Sequence, residues 1–255
     1  MHLVFKKDQT DYTNLIRSID GKLLTFNEIA NERTDENKYF CIRHDVEAGI
    51  CLPQTIWFAK VENRSGWKST YFIRYFSDYF DFSINFNNFC KRLIDLGHDI
   101  GLHVDVIKHH KDTNKDLLAI LKTPLDFLRS NGIEVKGVSA HGNPENYEIG
   151  FNYEFWKEFN KAKNEGTNNS FSEIGLNDLD LSYEAYFLDY DFFLADSAGE
   201  WAGWVRDSEP IPYERNMRNS PKHIGKKVIN KFNEMDKGFL QLLIHPYPGQ
   251  WKFTI

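Results

Sequence analysis

Two carboxylates and an imidazole follow one short apolar segment of the chain, in the run RHDVE at residues 43–47. Residues 39–42 are apolar and Ala48-Gly49 follow the run, a pattern that predicts a buried strand. Asp45 and Glu47 are two residues apart, so on an extended strand their side chains face the same side. This spacing brings two oxygen ligands, or a base and a ligand, to one point. The alternative is a strand end with ordinary solvated charges, and these residues alone do not decide between the two.

Histidines and one aspartate stand at the ends of other predicted strands. Five such strands are predicted at residues 69–74, 99–103, 135–142, 192–195 and 239–245. His103, His141 and His245 lie at the ends of three of them, and Asp196 follows a fourth. A lone histidine is more often a hydrogen-bonded structural residue than a ligand. Parallel strands deliver their C-terminal ends to one pocket, however, so the repetition favours a shared site.

Imidazole and carboxylate groups together suit a divalent cation such as zinc, with a position left for water. Such a cation lowers the pKa of its water and polarises a carbonyl oxygen. A spare carboxylate could take the proton of the water, and a spare imidazole could protonate a leaving group. The chemistry indicated is metal-assisted hydrolysis.

The elements that must position these groups alternate between strands and helices. Helices are predicted at residues 54–63, 86–96, 117–128, 153–163 and 223–235. This alternation predicts βαβ units and a largely parallel sheet in a single domain over residues 1–255. Residues 1–38 are predicted to be a lead-in segment with a helix at 12–19 capped by Asp11, and residues 197–222 a long loop over the pocket.

Composition excludes several classes of protein. The net charge of −6 argues against a general nucleic-acid binder. No stretch approaches the length of a membrane span, and the first residues do not predict a secretory signal. Three cysteines without metal-type spacing (Cys41, Cys51 and Cys90) favour reduced thiols in a cytoplasmic protein.

Six motifs in order resemble the polysaccharide deacetylase family, the NodB-homology domains of carbohydrate esterase family 4. They are RHDVE (43–47), STYFIR (69–74), GHDIGLH (97–103), SAHGNP (139–144), ADSAGEW (195–201) and LLIHP (242–246). The resemblance covers roughly residues 39–250, and the subgroup resembled has an Arg-His-Asp-Val-Asp opening, often encoded with O-antigen or capsule biosynthesis genes. It implies a distorted (β/α) barrel of seven strands over residues 39–252. It also implies a divalent metal (zinc, with cobalt, nickel or manganese as alternatives) and removal of an N- or O-acetyl group from a carbohydrate.

Carried over residue by residue, the resemblance assigns a role to each motif. Asp45 matches the general base, Glu47 a metal ligand and His103 the first metal-binding histidine. His245 matches the general acid, and Asp196 with Trp201 matches the region that orients this acid and lines the acetyl pocket.

Three further residues receive open assignments. His141 lies where many members place an arginine or another substrate-contacting group. Arg74 could hold a carboxylate ligand or contact a sugar acid. Trp201, together with Trp204 and Trp251, could stack on sugar faces, with local packing of long loops as the alternative.

The chain departs from the family pattern at two positions. Ile107 stands where the second metal-binding histidine is expected, and Glu47 replaces the usual aspartate. The ligands would then be Asp45, Glu47 and His103, completed by His141, with Asp105 as an alternative to the missing histidine. His109 and His110 lack the right spacing. His44 is predicted to support the site by hydrogen bonding, with a direct role left open, and His98 to cap a loop and orient the strand end.

Three functions remain in competition. The leading hypothesis is a metal-dependent deacetylase acting on a precursor of a surface polysaccharide. Ile107 supports a second, a non-catalytic carbohydrate-binding relative that has lost part of the metal site. A third is a metal-dependent amidase or phosphoesterase on a related barrel. The sequence leaves the oligomeric state open.

Overall fold

The computed structural model describes residues 9–34, 36–143, 152–153, 155–158, 174–196, 201–205, 224–248 and 250–251. The helices in these ranges are α1 (Gln9–Arg17), α2 (Phe26–Glu32), α3 (Leu52–Arg64), α4 (Ile84–Asp95), α5 (Val106–Thr113), α6 (Leu117–Ser130) and α7 (Ile224–Asn233). The strands are β1 (Lys22–Leu23), β2 (Lys38–Val46), β3 (Thr70–Arg74), β4 (Asp99–Val104), β5 (Val135–Ala140), β6 (Tyr183–Glu184), β7 (Phe192–Ala195), β8 (Ala202–Val205) and β9 (Gly238–Ile244). Short 3-10 helices span Gly49–Cys51, Leu176–Leu179 and Ala185–Phe187.

The strands form one curled sheet in the order β6-β5-β4-β3-β2-β9-β7-β8. The seven strands from β6 to β7 run parallel and form a half-barrel. β8 pairs antiparallel with β7 at one edge, and β1 pairs with β2. The predicted α/β class and parallel sheet are therefore confirmed, and the half-barrel is compatible with a distorted (β/α) barrel.

β2 is the central strand of this sheet. It pairs with β3 on one side, and on the other with β9 from Lys38↔Gly238 to His44↔Ile244. Its side chains alternate between two environments, as a strand requires. Tyr39 and Cys41 pack inside the barrel in one apolar cluster, whereas Phe40, Ile42 and Val46 pack against the helices in another. By the same alternation, Arg43 and Asp45 face the barrel interior and His44 faces the helices.

A buried polar cluster fixes the helix-facing side of β2. The Glu62 carboxylate, fully buried on α3, lies 2.7 Å from His44 Nε2 and accepts hydrogen bonds from Tyr71 (2.8 Å) and Ser69 (2.7 Å). Tyr12 of α1 also donates to it. The cluster ties α1 and α3 to the central strands immediately behind the C-terminal end of β2.

The segment before β2 is part of the core. Tyr12 and Ile16 of α1 and Phe26 of α2 are almost completely buried. α2 begins with a capping box in which the Thr25 hydroxyl accepts from the Glu28 amide. The sequence pattern predicted neither α2 nor β1, and Asp11 lies within the first turn of α1 rather than at its cap, so the predicted cap is wrong.

Other differences lie in short elements. β6 and α5 were not predicted, and β8 lies within the stretch predicted as loop 197–222. The remainder of that loop, at 197–200 and 206–222, and most of the helix predicted at 153–163 lie outside the described residues. In the part of the chain that the structure describes, no helix is long and apolar enough to cross a membrane.

The buried cluster predicts a specific dependence of stability on pH. Burial disfavours the charged form of Glu62, but His44 and the surrounding donors outweigh burial and lower its pKa from 4.5 to about 2. A lowered folded-state pKa stabilises the protein above the unfolded-state pKa, and this contribution is lost as the pH falls from 4.5 towards about 2. Glu62→Gln should therefore lower the free energy of unfolding by about 3 kcal/mol at neutral pH.

Urea unfolding in the presence of a chelator, at about pH 7 and about pH 3.5, measures this effect. The difference in unfolding free energy between wild type and Glu62→Gln should be smaller at the lower pH. Glu134→Gln, a substitution at an exposed position, should have the same unfolding free energy as wild type at either pH. If the difference between wild type and Glu62→Gln is constant or larger at low pH, the lowered pKa assigned to Glu62 is contradicted.

Candidate functional site

Three predicted ligands meet at the C-terminal edge of the sheet. Glu47 follows β2, His103 is the penultimate residue of β4, and His141 follows β5. Glu47 Oε1 is 3.2 Å from His103 Nε2, and Glu47 Oε2 is 3.3 Å from His141 Nε2. One ligand atom from each lies within 4.8 Å of the other two, a spacing that a single cation can bridge.

A second group shares Glu47. Asp45, Glu47 and His245 also place one ligand atom each within 4.8 Å of one another. Asp45 Oδ2 is 3.4 Å from His103 Nε2, so the two groups are adjacent. Asp45 and Glu47 therefore lie close together as predicted, and the two groups have Glu47 in common.

Arg43 occupies both oxygens of Asp45. Its Nε donates to Oδ1 and its Nη2 to Oδ2, each at 2.7 Å, and both side chains are buried. The Arg43 guanidinium also lies over the Tyr186 ring, 4.8 Å from its centroid. Burial opposes ionisation of Asp45, but Arg43 outweighs burial and lowers the pKa of Asp45. Asp45 is therefore an ionised acceptor at neutral pH, and it is less available as a cation ligand than Glu47.

Backbone and side-chain contacts orient the two histidines. His103 Nδ1 is 3.0 Å from the Ser139 carbonyl, which can only accept, so Nδ1 carries the hydrogen and Nε2 is free to bind. His141 Nδ1 is 3.2 Å from Asp105 Oδ2. Burial lowers the pKa of His141, but Asp105 and Glu47 outweigh burial and raise it to about 9.

Arg74 links the carboxylates of the site. Its Nη1 lies 3.1 Å from Glu47 and its Nη2 lies 3.5 Å from Asp105. This agrees with one of the two predicted roles, holding a carboxylate ligand in place. Burial of Glu47 raises its pKa, but His103 and His141 outweigh burial and hold it well below its usual range.

His245 and Asp196 form a second pair at the opposite side of β2. The Asp196 Oδ1 atom is 2.9 Å from His245 Nδ1 and accepts from the His245 backbone N–H at 2.8 Å. Burial lowers the pKa of His245, but Asp196 outweighs burial and raises it. The Trp251 indole donates to Asp196 Oδ2 at 3.0 Å. Trp201 itself is half-buried and packs over Gly225 of α7.

The remaining candidates lie around this arrangement. Ile107 is buried in the core, so position 107 supplies no ligand. His109 stacks on Phe76, and His110 Nδ1 lies 2.6 Å from the Lys115 carbonyl. His98, predicted to have a structural role, has its Nε2 2.9 Å from the Ala59 carbonyl. The side chain of Trp204 lies outside the described residues.

Sequence reasoning missed three contributors. Arg43 was quoted in the motif without a role, although its spacing of two from Asp45 already places both on one face. Asn152, whose amide is 2.9 Å from Asp105 Oδ1, lies in a stretch whose pattern was irregular and gave no signal. The sequence could not show that Trp251 contacts Asp196, because this contact depends on where two distant segments return to the sheet.

The donor set fits a divalent cation. One carboxylate and two imidazole nitrogens are typical of a catalytic zinc site with an open position. The negative field that raises the pKa of His141 and His245 favours a cation at the same point. Glu47, His103 and His141 would hold it, because the other group requires Asp45, both of whose oxygens are bound by Arg43.

No family model matches the chain, and no curated protein matches it.

Cation binding distinguishes the two groups that share Glu47. His141→Gln should weaken zinc binding by about 100-fold or more because it removes one of three ligands, and His245→Gln should change it by less than about 10-fold. Isothermal titration calorimetry against zinc gives both values. His110→Gln, a substitution on α5, is the matched control and should leave zinc binding unchanged. If His245→Gln binds zinc more weakly than His141→Gln does, the cation lies in the group of Asp45, Glu47 and His245 instead.

Proposed function

We propose that this protein is a metal-dependent hydrolase that removes the acetyl group from an N- or O-acetylated sugar. The observation that carries the proposal is the arrangement around Glu47. A cation-binding trio (Glu47, His103 and His141) is flanked by an ionised carboxylate, Asp45, and by an imidazole with a raised pKa, His245. The order of the six motifs supports the same reaction.

The chemistry that a divalent cation supplies, zinc above all, is polarisation of a carbonyl oxygen and a lower pKa for a water molecule. Asp45 accepts the proton of the water that adds to the acetyl carbon. Arg43 keeps Asp45 ionised and fixes both of its oxygens. His245, held by Asp196, gives its proton to the departing amine or alkoxide as the carbon–nitrogen or carbon–oxygen bond breaks, so that acetate and the free sugar leave.

A cavity beside His141 has the size and lining for one sugar ring. Its volume is about 410 Å³, and it is lined by Ala140, His141, Gly142, Asn152, Tyr153, Tyr186, Phe187 and Tyr190. Aromatic faces suit the apolar faces of a pyranose, and the tyrosine hydroxyls suit its polar edge. Because His141 lies in both the cavity wall and the cation-binding trio, a ring in the cavity lies next to the reacting group. The resembled subgroup supports a precursor of a surface polysaccharide as the natural substrate.

The buried position of Ile107 favours a second candidate, a carbohydrate-binding protein without catalysis. The two functions differ in acetate release. A binding protein retains affinity for acetylated sugars and releases no acetate with zinc present.

Asp45→Asn tests the catalytic assignment. It should reduce acetate release from acetylated amino sugars by at least about 100-fold, because the proton acceptor is lost while Asn retains its shape. Acetate is measured enzymatically after zinc loading, and circular dichroism checks the fold. Asp20→Asn, a substitution at an exposed position, is the control and should release acetate at the wild-type rate. Unchanged acetate release by Asp45→Asn would contradict the mechanism.

A further inference from the structure

The chain lacks a ligand at position 107 for a reason that the structure makes plain. Ile107 lies in the first turn of α5, with 1% of its surface exposed, and its backbone N–H donates to Asn152 Oδ1 at 3.0 Å. The position faces the apolar core. The end of β5 supplies an imidazole in its place, that of His141.

The His141 ring lies between two carboxylates. Nε2 is 3.3 Å from Glu47 Oε2, and Nδ1 is 3.2 Å from Asp105 Oδ2. Asp105 has only 5% of its side chain exposed, so it is not a solvated surface charge. The Asp105–His141 contact is an ion pair rather than a well-aligned hydrogen bond, and a carboxylate this close to the far nitrogen of a metal-binding histidine favours the hydrogen on that nitrogen and limits rotation of the ring.

Asp105 is in turn held by two amides. Asn152 Nδ2 donates to Asp105 Oδ1 at 2.9 Å and to the His141 carbonyl at 2.7 Å. Asn143 Nδ2 donates to Asp105 Oδ2 at 3.0 Å. Because Asn152 donates with its nitrogen and accepts the Ile107 amide with its oxygen, its orientation is fixed. Asn152 thus holds both the backbone of Ile107 and the carboxylate of Asp105.

We propose that Asp105 is the positioning residue of the cation site: it fixes His141 with Nε2 towards Glu47, so that β5 supplies the ligand that α5 lacks. Asp105 acts through His141 and is not itself a ligand. This inference rests on the proposed function only in requiring that Glu47, His103 and His141 bind a divalent cation.

The test is a double-mutant cycle on cation affinity. Asp105→Asn should weaken zinc binding by about 10- to 100-fold, measured by competition with a chromophoric chelator. If Asp105 acts through His141, then Asp105→Asn combined with His141→Gln should bind zinc no more weakly than His141→Gln alone. Asp112→Asn removes an exposed carboxylate from α5, the helix that follows Asp105. It is the control, and its zinc affinity should equal that of wild type.

Cobalt provides a readout that a merely structural role would not change. The visible absorption of the cobalt-loaded protein reports the ligand geometry, and Asp105→Asn should alter it whereas Asp112→Asn should not. Equal zinc affinities and equal cobalt spectra in wild type and Asp105→Asn would overturn the inference and leave the proposed function standing. A double mutant in which the two losses of zinc affinity add would also overturn the inference and leave the proposed function standing. A wild-type protein that binds neither zinc nor cobalt would overturn both.

A measurement on the wild-type protein does not depend on how the variants fold. In the ¹H–¹⁵N spectrum of the zinc-loaded protein, His141 should bind through Nε2 and carry a slowly exchanging hydrogen on Nδ1. Coordination through Nδ1, or a rapidly exchanging Nδ1 hydrogen, would contradict a fixed contact with Asp105.

Discussion

The alternation of side chains along β2 is the constraint on which the candidate site depends. β2 lies in the middle of the sheet, so one of its faces meets the barrel interior and the other meets the helices. The interior face carries Arg43 and Asp45, and Glu47 continues it beyond the strand end. The opposite face carries His44, whose contact with buried Glu62 fixes the strand from behind. A shift of one residue in register would exchange the two faces and remove Arg43, Asp45 and Glu47 from the site.

Charge balance explains why one cation suits this point. The described site holds the carboxylates of Asp45, Glu47, Asp105 and Asp196, and the guanidinium groups of Arg43 and Arg74. Two arginines against four carboxylates leave a net charge of −2, or −1 when His245 carries the proton that it donates, and a divalent cation offsets this negative charge. Buried charges are tolerated only when they are paired, so the arrangement favours one ion rather than two.

The sequence predicted the strands that carry the site because each is an apolar run followed by a charged or imidazole side chain. The ends of β4, β7 and β9 were placed within one residue, whereas β5 ends at Ala140, two residues before the predicted end, and Asp45 and Glu47 lie close together as predicted. β1 and β6 are two residues long, too short for any periodic pattern to appear. α5 was missed because its segment is polar over most of its length. The pairing of Arg43 with Asp45 and of Trp251 with Asp196 depends on tertiary placement, which local pattern does not encode.

The resemblance predicted a metal site with one histidine missing, and the structure places a different histidine beside the remaining ligands. Glu47 reaches both His103 and His141, and the longer side chain of glutamate suits this double contact better than that of aspartate. In our proposal the two departures from the resembled pattern, at 47 and 107, are related, because Glu47 reaches the imidazole that follows β5.

The position of the cation is the central claim, and anomalous scattering from a zinc-soaked crystal measures it directly. The anomalous peak should lie within bonding distance of Glu47, His103 and His141, about 2.0–2.2 Å from each ligand atom. A peak bound by Asp45 and His245, or no ordered peak in a crystal that contains zinc, would contradict the claim.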